Sequence, residues 1–501
     1  MNTFLNELKN ELNYTVTENG AIAHKSTLNK VYDMFAIGGA CRSRTDIEIE
    51  DLFIQAFAED KELALKCLFY LRDCRGGQGE RRFFRICFHW LSLTYPEYAI
   101  LLLTQIPIFG RWDDLWYSVY GKRYNKKVFE EVLNIIKNQV MIDCQSKTCS
   151  LLAKWLPSEN ASSEKTKKMA HIIRTYLGLS HKEYRKMLSF LRKKINILER
   201  LMSENRWDEI EFDKIPSKAG LIYRNAFARK EIIAEKYKRF MADKTKKVNT
   251  SVLCPYDIFK IFGNKSFYGY NMFGALNTLS TDEINTIQKY WDNLPDYFNG
   301  KSSNAIAVVD VSRSMYWEPL FAALSMGAYV AERNEGAFKN HFVTFSEEPQ
   351  LVEFKGKNIV EKVQFCSRAS WGFNTNLEAV FDLFLNALTS NRVSLEDVPK
   401  TIYIFSDMEF DTACRCSSIN SRKTLIETIE EKWKAYGYEM PNLIFWNLNS
   451  KQNNIPALGN KVTCISGFNP VMIEQVLSGK TGIDVMLDKL MSDRYKDIKI
   501  K

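Results

Sequence analysis

Five oxygen-bearing side chains, in three separate stretches of the sequence, have the types and spacing to hold a hard dication. The first stretch is Asp310-Val-Ser312-Arg-Ser314, the second is Trp371-Gly-Phe-Asn-Thr375-Asn, and the third is Ser406-Asp407-Met-Glu409. Mg²⁺ takes six oxygens in a near-octahedral array at about 2.0–2.1 Å. Hydroxyls at Ser312 and Ser314, one residue apart, can point to one side of a turn beside the charge of Asp310. Thr375 and Asp407 can then bind directly or through water. A set so poor in carboxylates leaves the cation electrophilic and open to a carboxylate or phosphate from a partner. Mg²⁺ is the expected cofactor, with Mn²⁺ or Ca²⁺ as other oxygen-preferring choices. The plainer explanation of Asp-x-Ser-x-Ser is a capped turn, because Asp and Ser cap helices.

Residues so far apart in sequence need a rigid scaffold to meet. Short apolar runs that read as strands, 305–310, 341–345, 350–354, 401–407, 442–448 and 461–466, alternate with helical stretches at 319–334, 376–389, 421–436 and 470–478. The pair at 341–345 and 350–354 predicts a hairpin. Continuous apolar strands between helices predict a mostly parallel, doubly wound α/β sheet covered on both faces, which binds ligands at the carboxyl ends of its strands. Asp310 and Asp407 both stand at such ends.

Before residue 250 the apolar spacing is helical. Leu63, Cys67, Leu68 and Leu71 share one face, as do Val128, Val132, Ile135, Ile136 and Val140, and also Tyr184, Met187, Leu188, Leu191, Ile195 and Leu198. Ser180 and Glu183 form a capping box. The expected fold class is therefore multidomain α and α/β. An all-α array of helical hairpins covers 1–250, a helical connecting region 251–303, the α/β domain 304–480, and a tail 481–501.

At 501 residues the chain exceeds one core. No apolar run reaches the ~18–20 residues that would span a membrane, and the amphipathic start lacks a secretory signal's apolar core. Eleven cysteines without a CxxC pair predict a reducing, cytoplasmic setting and not a disulfide framework. Cys414 and Cys416 are weak metal candidates in a chain with five scattered histidines. Those histidines also offer no Ser-His-Asp or Cys-His arrangement, and the hydroxyl-rich cation set differs from the carboxylate clusters of metal-dependent hydrolases. A binding protein with no catalytic residues is expected, not an enzyme.

Asp310, Ser312, Ser314, Thr375 and Asp407 together resemble the metal-ion-dependent adhesion site of von Willebrand factor A domains. Helices followed by such a domain resemble the Ro ribonucleoprotein (TROVE) architecture, and more closely an uncharacterised relative of it. The stretches that carry this second resemblance are Arg72-Asp-Cys-Arg-Gly-Gly-Gln-Gly-Glu-Arg81, Gly110-Arg-Trp-Asp-Asp114, Lys154-Trp-Leu-Pro-Ser158, Ile215-Pro-Ser217 and Ser406-Asp-Met-Glu-Phe-Asp411. It implies HEAT-type repeats closed into a ring, RNA taken as single-stranded ends in the hole and as structured small RNA outside it, and no enzymatic activity.

Charge is uneven in the direction that resemblance implies. Residues 1–301 carry 47 Lys and Arg against 36 Asp and Glu, while 302–501 carry 22 against 24. Candidate RNA-contacting residues are Lys165, Lys167, Lys168, Arg174, Lys182, Arg185, Lys186, Arg192, Lys193 and Lys194, because clustered cations neutralise phosphates without reading sequence. Tyr176, Tyr184, Tyr223 and Phe227 lie among the basic clusters and could stack on bases. A solvated helix face over a packed aromatic core is the bland alternative. Arg75-Gly-Gly-Gln-Gly-Glu-Arg81 reads as a tight inter-helix turn more readily than as a phosphate cradle. Two other functions fit the same residues. One is a protein scaffold that recognises an acidic partner through Mg²⁺ without RNA, and the other, less favoured, is a metal-dependent nuclease.

Overall fold

The computed structural model describes the chain except residues 1–2, 196, 267–268, 272, 301–303, 346–347, 368–374, 392, 395, 413–422 and 501. Trp371–Asn374 and both Cys414 and Cys416 thus fall outside the described residues. The chain forms two compact units that do not follow chain order. One comprises residues 1–67 and 250–493, the other 68–249 and 494–501.

The first unit is built on a six-stranded sheet. After two short hairpins, β1 (Tyr14–Val16) with β2 (Ile22–His24) and β3 (Asn264–Ser266) with β4 (Gly269–Asn271), come β5 (Ala305–Asp310), β6 (His341–Phe345), β7 (Gln350–Glu353), β8 (Thr401–Ser406), β9 (Asn442–Asn447) and β10 (Val462–Ser466). Their order is β10-β9-β8-β5-β6-β7, all parallel except the β6–β7 hairpin. Every residue of β5 is buried, as expected of a strand covered on both faces. The long helix Glu318–Arg333 between β5 and β6 is buried from Leu320 through Ala331.

The expected strands and hairpin are all present within a residue. The helix at 376–389 appears as Leu377–Asn391 and that at 421–436 as Leu425–Ala435. The expected helix at 470–478 is instead a 3-10 turn, Pro470–Met472, followed by one helical turn, Ile473–Val476. An unanticipated helix, Ile359–Cys366, starts at the Asn358 cap.

Residues 1–67, expected to join the helical array, pack with the sheet. Tyr32 and Phe35, buried on the helix Lys30–Ile37, face β10. The Cys464 amide donates to Tyr32 Oη at 2.8 Å, and Ser466 Oγ donates to the Phe35 carbonyl at 3.1 Å. A Cβ at Gly39 would come within 2.6 Å of the Ser466 carbonyl oxygen, so a side chain there would force the two segments apart. Arg44 completes the junction by donating to the Ser450 carbonyl and to Asn453. The expected connecting region belongs to this unit as well, and it holds the capped helix Thr281–Asp292 with Trp291 fully buried.

The second unit is helical, as expected of this part of the chain. Its longer helices are Arg81–Thr94, Lys126–Gln145, Glu164–Tyr176, His181–Lys194, Ser217–Arg229 and Glu231–Ala242. The Ser180–Glu183 capping box is present. The glycine-rich segment is a packed turn, and it spends its amides internally. Gln78 N–H donates to the Tyr70 carbonyl, Gly79 N–H to Asp73 and Glu80 N–H to Leu71. A Cβ at Gly77 would lie 1.9 Å from the Tyr70 carbonyl oxygen. The carboxylates of Asp113 and Asp114 face arginines: Arg85 bonds both, Arg72 bonds Asp114 and Arg111 bonds Asp113. The expected tail is not free, since 482–490 forms a helix of the first unit. In the second unit, Arg494 pairs with Asp73.

Candidate metal centre

Strand β5 is followed in the chain by β6 on one side of it, and β8 returns on the other. This makes β5/β8 a switch point, where an open α/β sheet leaves a crevice at the carboxyl strand ends. Asp310 is the last residue of β5, and Asp407 follows the last residue of β8. Both are buried, as are Ser312 and Thr375.

The Asp310 carboxylate accepts the Ser312 N–H at 2.9 Å on one oxygen and the Ser406 hydroxyl at 2.6 Å on the other. Ser312 Oγ and Ser314 Oγ are 3.0 Å apart. Ser314 in turn sits beside Asp407. Thr375 is fixed from the adjoining segment, where its N–H and hydroxyl donate to the two oxygens of Asp411 at 2.9 and 2.8 Å. Asp310, Ser312, Ser314 and Asp407 therefore form one cluster. Thr375 is linked to the segment after β8 by Asn19, whose amide bonds both Thr375 Oγ1 and the Glu409 carbonyl, each at 2.7 Å.

The electrostatics suit a cation. Burial, and next the charge of Asp407, push the Asp310 carboxyl up to about 7, against the pull of hydrogen bonds from Ser312 and Ser406. Burial also raises Asp407 and Glu409. Asp407 Oδ2 and Glu409 Oε1 are buried without a hydrogen-bond partner, although Lys451 Nζ stands 3.7 Å from Asp407 Oδ2. Buried carboxylate oxygens lacking partners are costly, and a dication would satisfy them. The Thr375 hydroxyl donates its hydrogen to Asp411 and accepts from Asn19, which leaves one lone pair for a ligand. Met408, between Asp407 and Glu409, has φ 67°, a left-handed backbone uncommon outside glycine. Among the described residues, no three His, Cys, Asp or Glu side chains cluster as a metal site by themselves, so a centre here would depend on its hydroxyls.

Sequence reasoning missed Thr17, Glu18, Asn19, Lys451 and Asn454. Glu18 N–H and Asn454 Nδ2 both donate to Glu409 Oε2, at 2.7 and 2.9 Å. No local signal marks them, because each is a polar residue in a turn whose partner is distant in sequence.

The basic candidates divide. Arg192 donates to the Ala153 and Leu156 carbonyls and to Ser158, while Lys194 donates to the Asp143, Cys144 and Ser146 carbonyls. Arg174 pairs with Glu159. These three hold loops and helix ends together. Lys167 pairs with Glu164. Lys165, Lys168, Lys182, Arg185, Lys186 and Lys193 are exposed, with Lys165 Nζ 4.9 Å from the Tyr117 ring centroid. Tyr184 and Phe227 are core residues and cannot stack on bases, whereas Tyr176 and Tyr223 are half-buried.

Two family models match the chain. One, described as Domain of unknown function (DUF2828), covers 17–115 and 127–299, more than half of the residues. The other, Domain of unknown function (DUF7788), covers 304–498. The chain belongs to the DUF2828 family. It is also similar to Uncharacterized protein L728 of Acanthamoeba polyphaga mimivirus, with 30% identity over 508 residues, 93% of this chain and 85% of the viral protein. Neither model is one for Ro or von Willebrand factor A proteins. The DUF2828 match contains Thr17, Glu18 and Asn19, and the DUF7788 match contains the five oxygen-bearing residues and Lys451. The Asn19–Thr375 bond therefore joins the two matched segments. Among the described residues, no helix is long and apolar enough to cross a membrane.

Proposed function

We propose that the sheet unit is a von Willebrand factor A-type domain that binds Mg²⁺ through Asp310, Ser312, Ser314, Thr375 and Asp407 and uses it to recognise a carboxylate or phosphate. The observation that carries this reading is the cluster of Asp310, Ser312, Ser314 and Asp407 at the β5/β8 crevice, with a buried, unbonded carboxylate oxygen on Asp407. Bound metal would supply electrophilic charge, while the chain's hydroxyls and acids orient it and exclude water. The site has the character of a binding centre, and no catalytic residue is assigned. Calorimetric titration with Mn²⁺ tests it: wild type is expected to bind one ion and Asp310→Ala none, and absence of binding by wild type overturns it.

The same reading makes the protein a cytoplasmic, Ro-like RNA-binding component, whose HEAT-like helical unit meets phosphates through Lys165, Lys168, Lys182, Arg185, Lys186 and Lys193. The exposure of these cations on two successive helices, Glu164–Tyr176 and His181–Lys194, favours it. A scaffold that takes an acidic protein partner at the metal, without RNA, is the second reading, and the unbonded Asp407 oxygen supports it equally. Filter binding of single-stranded and hairpin RNA at two salt concentrations separates them. RNA retained at low salt favours the first, and no binding at low salt removes it.

A further inference from the structure

Thr17–Gly20, the turn between β1 and β2, is tied to the segment that follows β8. Thr17 Oγ1 donates to the Phe410 carbonyl at 2.7 Å and accepts the Ala21 N–H at 2.9 Å, so the turn is held at both ends. Glu18 N–H donates to Glu409 Oε2, and Asn19 spans Thr375 and the Glu409 carbonyl. Gly20 pairs with Asp411 as an isolated β-bridge. Backbone and amide groups thus fix the turn, while the Glu18 carboxylate takes no part in fixing it. That carboxylate is held by Lys451, whose Nζ lies 2.9 Å from Glu18 Oε2. The same ammonium is the cation 3.7 Å from Asp407 Oδ2. One lysine therefore spans the buried oxygen that lacks a hydrogen bond and an acid brought from the start of the chain.

We propose that Glu18 is a ligand the chain supplies to its own metal site, delivered by the Thr17–Gly20 turn, so that an outside carboxylate must displace this turn to bind. The inference rests on the metal-binding reading above and names the occupant of the open position. Three relationships carry it. A hydroxyl-rich site leaves a hard cation short of negative charge, and a carboxylate is the ligand class that supplies it. Glu18 is such a carboxylate, sharing a counter-ion with Asp407. Asn19, next to it, bonds the hydroxyl of Thr375, itself one of the five candidate ligands, so the turn cannot leave without altering the site.

The test uses the full-length chain, Mn²⁺ alone as the probe, electron paramagnetic resonance to count bound ions, and water-proton relaxation on the same samples to report water on the metal. Wild type is expected to bind one Mn²⁺ with weak relaxation enhancement. Glu18→Ala should admit water, raise the enhancement, and weaken affinity on the order of tenfold, the low end of what losing a supporting carboxylate costs a metal site. Asn19→Ala, which unties the turn but keeps the carboxylate, should move both readings the same way by less. Lys451→Ala removes a competing cation and should tighten binding. Circular dichroism on each variant separates these effects from misfolding, and Glu18→Gln provides a near-isosteric check should Glu18→Ala misfold. If wild type binds Mn²⁺ and Asp310→Ala does not, but the Glu18 and Asn19 variants match wild type in both readings, the role of the turn is overturned while the metal reading stands. If wild type binds no Mn²⁺, both fall.

Discussion

Arg72 closes two nitrogens on one oxygen of Asp114, Nε at 2.9 Å and Nη2 at 2.6 Å, with both residues buried. Arg85 Nε takes the other oxygen at 2.7 Å, and the Arg111 N–H adds a bond at 2.9 Å. These contacts join three of the motif-bearing helical segments of the second unit. Breaking a buried pair by removing one partner leaves the other charge uncompensated, at a cost of about 3–5 kcal/mol. Asp114→Ala should lower the unfolding free energy of the helical transition, read from its urea midpoint and slope, by that order. A change below about 1 kcal/mol would show that the arginines find water instead.

Burial alone would raise the Asp113 carboxyl, but Arg111 and then Arg85 outweigh it and hold it below its usual range. Asp73 behaves alike under Arg494 and the amides of Arg75 and Gly76. A folded pKa below the unfolded one means the native state binds fewer protons in acid. The stabilisation is therefore present above about pH 4 and is lost as pH falls through the depressed folded values. Urea midpoints measured from pH 7 down to pH 3 should fall steeply, and more gently in Asp113→Asn, whose midpoint at pH 7 is already lower.

Metal that binds only the folded sheet unit must stabilise it. At a free Mg²⁺ concentration about a hundredfold above Kd, the gain is about 2.7 kcal/mol. Tm measured by scanning calorimetry should rise with Mg²⁺ in wild type and stay level in Asp310→Asn. The variant should also be the more stable of the two without metal, since it removes a fully buried acid whose charged form is disfavoured by burial.

Charge reversal separates the two kinds of basic residue. Reversing Lys182, Lys186 and Lys193 together should weaken RNA binding and flatten its salt dependence, by a slope of about 0.7 per lost phosphate contact on single strands. Thermal stability should barely change. Arg192→Ala and Lys194→Ala remove donors to backbone carbonyls, so they should destabilise the helical unit by about 1–3 kcal/mol. Loss of RNA binding in the second pair without loss of stability would reverse this assignment.

What could be read from the sequence was what neighbouring residues decide together. Ala305–Asp310 is an uninterrupted apolar run that ends in an acid, and that local pattern announces a covered strand with a buried carboxylate at its tip. Ser180 and Glu183 announce a cap for the same reason. Tyr14–Val16 and Ile22–His24 are three-residue strands, too short for periodicity to mark, and what holds Glu18 and Asn19 in place comes from around residue 409. Composition registers the charges of Arg192 and Lys194 but not the carbonyls they meet. Asp113 and Asp114 start the short helix Asp114–Tyr117, but the arginines that claim Asp114 stand 29 and 42 positions away, beyond the reach of any local pattern.

Because the compact units interleave along the chain, neither is complete until segments distant in the sequence have been made. The turn bearing Glu18 is made 391 residues before its acceptor at Glu409, a wait of roughly 20–80 s at typical elongation rates. The helical unit in turn receives Arg494, the partner of Asp73, from 421 residues further along the chain. Nascent chains should therefore expose the apolar faces of Tyr32 and Phe35 until β10, which carries Cys464 and Ser466, has been made. A fragment cut at residue 250 should be insoluble on either side of the cut.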